Sequence, residues 1–362
     1  LAGGGGDHRG ESAAAAGLTG RIQQIGDAFG QPLPAVDYLH VACIFSRKRH
    51  GRRIVIRLDG RVAVVTGAGR GMGRTHALLL AARGARVLVN DYGGAQSTLT
   101  PGTISHAQAV VDDIRAAGGE AEADGGMVGT GKSARAIVEH AMDAFGRVDI
   151  LVNNAGGSLI GEPDAFEDDE IEGVLRTNFI GPYMLLRRVW PLMRAQGYGR
   201  IVNVMSSAVL GAGHLGPYAA GKAGLLGLTH DAAFDGRPHN ILVNGVFPTG
   251  ASRLTETSQE DVARWYRTHF QPEKVSALIA YLSSDQLDFS GEVFNVGGGR
   301  VARLAIFDND GLFDPAITPE SIADNIDAIR DLSAPTVIPT LWAQTERYFA
   351  HIPWTGGKSG LF

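Results

Sequence analysis

The chain has 362 residues, 44% of them hydrophobic, and a formal net charge of -5 at pH 7. That is enough for one large α/β domain with appendages, and the mild negative balance gives no reason to expect a nucleic-acid partner. Cys43 is the sole cysteine, which excludes an intrachain disulfide and an all-cysteine metal site and leads us to expect a reducing, cytoplasmic setting.

Residues 1–57 read as a weakly ordered tail. Gly3–Gly6 and Ala13–Ala16 are low-complexity runs, and the basic stretch Arg47–Arg53 is expected to be a solvated tail, not a nucleic-acid or targeting patch. From residue 58 the pattern becomes βαβα. Apolar β-branched runs at 61–66, 85–91, 148–152, 200–204, 241–247 and 292–296 predict strands. Helices are predicted over 74–83, 106–117, 133–145 and 171–186. Uninterrupted Val/Ile/Leu strands between amphipathic helices indicate an α/β fold, a parallel sheet covered on both faces, over residues 58–300. Apolar runs are short and broken by Gly or charge, against a membrane span. Residues 301–362 are expected to come after the last strand as a C-terminal helical extension. In it, Thr318 caps a helix beginning at Pro319 and Ile322, Ile326 and Ile329 share a face. That face is expected to pack on the domain or on a partner subunit.

The first strand runs into Thr66-Gly67-Ala68-Gly69-Arg70-Gly71-Met72-Gly73 and then a helix. Glycines at such a turn let the backbone approach a pyrophosphate, and the helix start offers it free N–H groups. Gly67, Arg70, Gly71, Met72 and Gly73 are therefore candidate cofactor residues. Asp91 ends the second strand, where a carboxylate accepts hydrogen bonds from ribose hydroxyls and repels a 2′-phosphate. NAD is favoured over NADP, with Arg70 as the opposing signal.

Tyr218 and Lys222 stand four residues apart, on one face of a helix. A phenol of pKa about 10 beside an ammonium and an oxidised nicotinamide would be acidified enough to exchange a proton with a hydroxyl. Ser206 comes just after the strand at 200–204 and can donate to a carbonyl oxygen, while Asn178 can anchor a water that continues a relay from Lys222. Residues 249–270 are expected to form a lid, with Trp265, Tyr266 and Phe270 facing inward.

Taken together, Thr66-Gly67-x-x-x-Gly71-x-Gly73, Asp91, Asn153-Asn154-Ala155-Gly156, Asn178, Ser206 and Tyr218-x-x-x-Lys222 resemble the short-chain dehydrogenase/reductase family over roughly 58–300. The resemblance implies a Rossmann-type doubly wound sheet, a catalytic set of Asn178, Ser206, Tyr218 and Lys222, and a homodimer or homotetramer. It extends the cofactor set to Met127, Val128, Asn154, Ala155, Gly156 and Pro248, and gives Tyr218 and Lys222 a second role there. Segments such as Val89–Gly94, Asp235-Gly236-Arg237 and Pro248–Thr255 are similar to the dehydrogenase unit of peroxisomal multifunctional enzyme type 2. This implies NAD-dependent oxidation of a 3-hydroxyacyl-CoA, with a steroid-like alcohol as a related substrate. An NADPH-dependent 3-oxoacyl thioester reductase and a catalytically idle dinucleotide-binding scaffold are the rival readings. Three points depart from the family pattern, the first being Thr249, which follows Pro248 where much of the wider family has Gly. Met127 stands where many members have an Asp on the adenine amino group, leaving Asp124 as the alternative. Counting from Asn203 selects Ser206 as the catalytic serine, whereas counting back from Tyr218 leaves Ser207 open.

Overall fold

The structure, a computed structural model, describes residues 54–94, 102–251 and 259–352. The described residues from Ile56 onward belong to one compact unit. The low-complexity runs, the basic stretch and Cys43 lie outside the described residues.

Strand β1 (Val62–Thr66) shows why its sequence carries no polar alternation. Ala63 and Val65 enter a core with Val89, Val111 and Ile279, whereas Val62 and Val64 enter a second core with Ile137, Leu185 and Leu225. Successive side chains of a strand point to opposite faces, so a strand covered on both sides must be apolar throughout. The chain continues through α1 (Gly71–Ala82), β2 (Arg86–Asn90), α2 (Ser105–Ala116), β3 (Ala121–Asp124), α3 (Gly131–Phe145) and β4 (Ile150–Asn153). It then forms α4 (Asp168–Leu175), a π turn (Arg176–Ile180), α5 (Gly181–Gln196), β5 (Gly199–Val204) and α6 (Gly216–Gly236). Strand β6 (Ile241–Thr249), α7 (Glu260–His269), α8 (Pro272–Leu282), β7 (Val293–Gly297) and β8 (Arg300–Leu304) complete the sheet.

The strand order is β3-β2-β1-β4-β5-β6-β7-β8. Strand β1 pairs in parallel with both β2 and β4, so the order reverses beside it. The crevice at the carboxyl ends of these strands is where an open α/β sheet binds ligands. The fold is the expected Rossmann-type doubly wound sheet, with two additions. Strand β3 carries little signal in the sequence, because Ala-Glu-Ala-Asp is a four-residue edge strand without a β-branched residue. Strand β8 corrects the expectation that the chain leaves the sheet after 296: Arg300–Leu304 turns back and pairs antiparallel with β7. Its burial is slight, so its sequence does not carry a core strand's pattern.

Beyond β8 lie the two-stranded sheet β9 (Phe307–Asp308) and β10 (Thr336–Val337) and the helices α9 (Pro319–Asp324), α10 (Ile326–Arg330) and α11 (Leu341–Glu346). Thr318 accepts from the Ser321 N–H and Pro319 opens α9, as the sequence indicates. The three helices bury no residue. Among the described residues no helix is long and apolar enough to cross a membrane.

Candidate active site

Thr66, at the tip of β1, joins the two halves of the crevice. Its hydroxyl oxygen accepts from the N–H groups of Asn154 and Ala155, each at 3.0 Å. Asn154 Nδ2 in turn donates to the carbonyls of Thr66 and Gly67 at 2.9 and 3.0 Å. The turn after β1 leads into α1, whose N-cap, Arg70, puts no side chain on the helix end. The first N–H groups of α1 are thus left for another acceptor. A Cβ on Gly73 would stand 2.1 Å from the Gly67 carbonyl oxygen, so only glycine lets the helix start this close to the turn.

One crevice of about 610 Å³ is lined by Gly67, Arg70, Gly71, Met72, Gly73, Asp91, Met127, Val128, Asn154, Ala155, Gly156, Ser206, Tyr218, Lys222 and Pro248. Its size lies within the usual range of ligand sites. Asp91 accepts from the N–H of Gly69 at 2.9 Å and that of Gly93 at 2.8 Å, which fixes the carboxylate at the crevice wall. Arg70 donates to the Gly94 carbonyl at 3.1 Å. An uncapped helix start, a glycine cradle and an oriented carboxylate fit a dinucleotide.

Asp124 does not take the place left open by Met127. One of its oxygens accepts from Asn90 Nδ2 at 2.6 Å and from the Gly126 N–H at 2.9 Å, and the other meets His140 Nδ1 at 2.8 Å. Its carboxylate braces the Gly125-Gly126 turn from behind, and the thioether of Met127 lines the crevice instead.

At the reactive end, Tyr218 and Ser206 both line the crevice. Burial pushes the phenol up from its ordinary value, and the neighbouring Ser206 hydroxyl offsets this only in part. The sequence-based expectation of a phenol acidified by its lysine is therefore not met by the chain alone. Lys222 Nζ lies 5.9 Å from the Tyr218 ring centre and donates to the Val204 carbonyl at 2.8 Å. It is 3% exposed, and burial pulls its ammonium down to about 8. Ser206 Oγ accepts from the Ala208 N–H at 3.1 Å, which leaves its proton to donate. Ser207 also lines the crevice, and Ser206 is the serine whose hydroxyl acts on the phenol to lower it.

Asn178 sits in the π turn between α4 and α5 and is fully buried. Its Nδ2 donates to the carbonyls of Gly157 and Val174 at 2.7 and 2.9 Å, while Oδ1 has no partner among the described residues. A Cβ on Gly156 would stand 2.8 Å from Asn178 Oδ1 and 3.2 Å from Lys222 Nζ, so this glycine separates the two groups and keeps a space between them. Such π turns occur frequently at functional sites.

Some residues of the site escape a reading of the sequence. Glu170, Gly173, Val174 and Thr177 line the crevice, and their three- and four-residue spacing along one helix face is the signal that marks them. A buried ladder supports the floor: Asn153 Nδ2 donates to Asn203 Oδ1, and Asn203 Nδ2 to Thr229 Oγ1, at 2.9 and 2.8 Å. Of the expected lid, 252–258 lie outside the described residues. Tyr266 lines the crevice, and Trp265 and Tyr266 both pack on Phe270, with ring centres 4.7 and 5.3 Å away.

Comparison with known proteins decides the family. The short chain dehydrogenase family matches residues 61–264. The chain is a short-chain dehydrogenase/reductase. A short-chain type dehydrogenase/reductase of Mycobacterium tuberculosis is 39% identical over 279 residues, covering 76% of this chain and 96% of that protein. The mouse peroxisomal multifunctional enzyme type 2 is 37% identical over 284 residues; the match covers 77% of this chain but 38% of that longer enzyme. A 7α-hydroxysteroid dehydrogenase solved with NADH and 7-oxo glycochenodeoxycholic acid is 30% identical, with a TM-score of 0.60 over 67% of this chain and 95% of that one. As a short-chain dehydrogenase/reductase the chain is an oxidoreductase of small molecules that binds NAD or NADP.

Proposed function

We propose that this enzyme oxidises a secondary alcohol to a ketone with NAD in preference to NADP, the substrate being a 3-hydroxyacyl-CoA or a steroid-like alcohol. The observation that carries this reading is that Ser206, Tyr218 and Lys222 line the same crevice as Asp91 and the glycine turn. Gly71, Met72 and Gly73 offer their N–H groups to the pyrophosphate, and Asp91 offers carboxylate oxygens to the ribose. Arg70 spends one donor on the Gly94 carbonyl and remains the opposing signal in favour of NADP. Homologous dehydrogenase units of multifunctional enzymes and a hydroxysteroid dehydrogenase support the two substrate classes. The enzyme is read as a cytoplasmic homodimer or homotetramer with residues 58–300 as its dehydrogenase domain.

When bound, the nicotinamide supplies the hydride acceptor and a positive ring. Tyr218 takes the hydroxyl proton as the C–H hydride leaves the carbinol carbon and the C=O bond forms. Because burial alone holds the phenol up, it stays protonated until positive charge arrives beside it. Ser206 donates its free proton to the substrate oxygen. Lys222 contributes positive charge near the ring, and Asn178 Oδ1 is the acceptor for a water that carries the proton away.

Replacing Tyr218 with Phe should lower turnover by about a hundredfold or more, by the usual worth of a general base. NAD binding, followed by fluorescence titration, should be nearly unchanged. Near-full NADH production by that variant would sink the assignment.

A further inference from the structure

The turn that follows β3 begins directly beside the carboxylate assigned to the ribose, since the Asp91 N–H donates to the Asp124 carbonyl at 2.9 Å. Its polar side chains are spent on one another. Asn90, buried at the end of β2, donates one Nδ2 hydrogen to Asp124 Oδ1 and the other to the Gly126 carbonyl, at 2.6 and 2.7 Å. His140 of α3 holds the other Asp124 oxygen at 2.8 Å. Gly126 lets the backbone fold over this pair: a Cβ there would stand 2.9 Å from both Asp124 Oδ1 and Ile137 Cγ1. Asp124 is buried and takes no part in lining the crevice, whereas Gly126, Met127 and Val128 line it. Val128 is packed toward α5, where its Cγ1 lies 2.4 Å from the place of a Cβ on Gly181. The half-buried thioether of Met127 is thus what the turn turns toward a ligand.

A dinucleotide whose ribose meets Asp91 carries its purine past the tip of β2 to this wall. We infer that the enzyme recognises the base of its cofactor by shape and not by its 6-amino group, with the Met127 thioether as the contact, so that a dinucleotide carrying a 6-oxo purine is accepted as well as one carrying adenine. A carboxylate at this wall would accept from the amino group and repel a carbonyl oxygen in its place. A thioether does neither. A site built around a hydrogen bond rejects the ligand that lacks it by orders of magnitude, whereas an apolar site barely separates ligands of one shape. Methionine sulfur also packs favourably at the edge of an aromatic ring, and its unbranched chain adapts to what it meets. This rests on the reading that the crevice takes NAD, and it adds the residue that sets how strictly the base is read.

Calorimetric titration of the full chain with NAD and with nicotinamide hypoxanthine dinucleotide, its 6-oxo analogue, reads affinity without turnover. The two dissociation constants should agree within about threefold. Met127→Ala should weaken both by about fivefold and leave their ratio unchanged. Met127→Asp supplies an acceptor at the wall and should favour NAD over the analogue by about tenfold or more. A melting curve checks that each variant is folded, and the wild-type ratio decides the matter without either of them. A wild-type preference for NAD of about tenfold or more, or a ratio that Met127→Asp leaves unmoved, would overturn the inference and leave the crevice as the cofactor site. Binding of neither dinucleotide by wild type would remove the NAD reading, and this inference with it.

Discussion

Lowering the pH should loosen the nucleotide-binding helix through a single histidine. His76 of α1 is fully buried and faces Ser276 of α8. Thr75 donates its hydroxyl proton to the Met72 carbonyl at 2.8 Å, so its oxygen accepts from Ser276 at 2.9 Å. Ser276 then accepts from His76 Nδ1–H at 2.7 Å, which leaves Nε2 as a bare lone pair, buried and without a partner among the described residues. Burial depresses this imidazole from 6.5 to about 3. The folded pKa is the lower one, so the histidine's contribution is intact above 6.5 and is lost as pH falls toward 3. At pH 5 the unfolded chain binds this proton and the folded one does not, over about 1.5 pH units, a loss of roughly 2 kcal/mol. Urea unfolding at pH 7.5 and pH 5, on wild type and His76→Leu, isolates the effect from carboxylates that titrate in both proteins. The stability difference between wild type and variant should shift by about 2 kcal/mol in favour of the variant at pH 5. Parallel stability profiles for the two proteins would refute the buried neutral histidine.

Three further outcomes come from the same geometry. Replacing Asp91 with Ser removes the carboxylate that faces a 2′-phosphate, and the NADP-to-NAD ratio of kcat/KM should rise about tenfold, roughly 1.4 kcal/mol; an unchanged ratio would place cofactor choice elsewhere. Gly156→Ala pushes a methyl against Asn178 Oδ1 and Lys222 Nζ, so kcat should fall about tenfold or more while the protein still melts cooperatively. At His214, a β-branched Val is strained in the left-handed region and should cost about 1–2 kcal/mol in chemical denaturation, whereas Gly should be close to neutral; equal losses would deny the strain.

Much of this molecule can be read before any coordinates. The doubly covered strands are apolar at nearly every position, and the glycine turn, Asp91, and the Tyr218–Lys222 spacing are local patterns that need no tertiary context. The features hidden from such a reading depend on distant contacts. Strand β3 is short and carries Glu122 and Asp124, so its pairing with β2 is written in hydrogen bonds and not in hydrophobicity. Strand β8 is an edge strand of mixed exposure whose partner sits just across a Gly-Gly turn. The choice between Ser206 and Ser207 depends on which hydroxyl reaches Tyr218, and a residue count does not carry that. Asp124 is a reasonable stand-in for an adenine contact by position along the chain. The structure shows it consumed by Asn90, Gly126 and His140, partners drawn from a strand, a turn and a helix.

The widened turn at Arg176–Ile180 has a consequence for how tolerant this stretch is to change. One extra residue is looped into an otherwise continuous α4–α5 rod. Deleting any one residue of the five would restore regular winding and remove the widened turn that carries Asn178. The rod would gain regularity, yet the Asn178 amide would no longer meet both Gly157 and Val174. A change that strengthens the helix would thus dismantle the water-holding corner of the site, so selection for stability and selection for chemistry pull in opposite directions at these five positions.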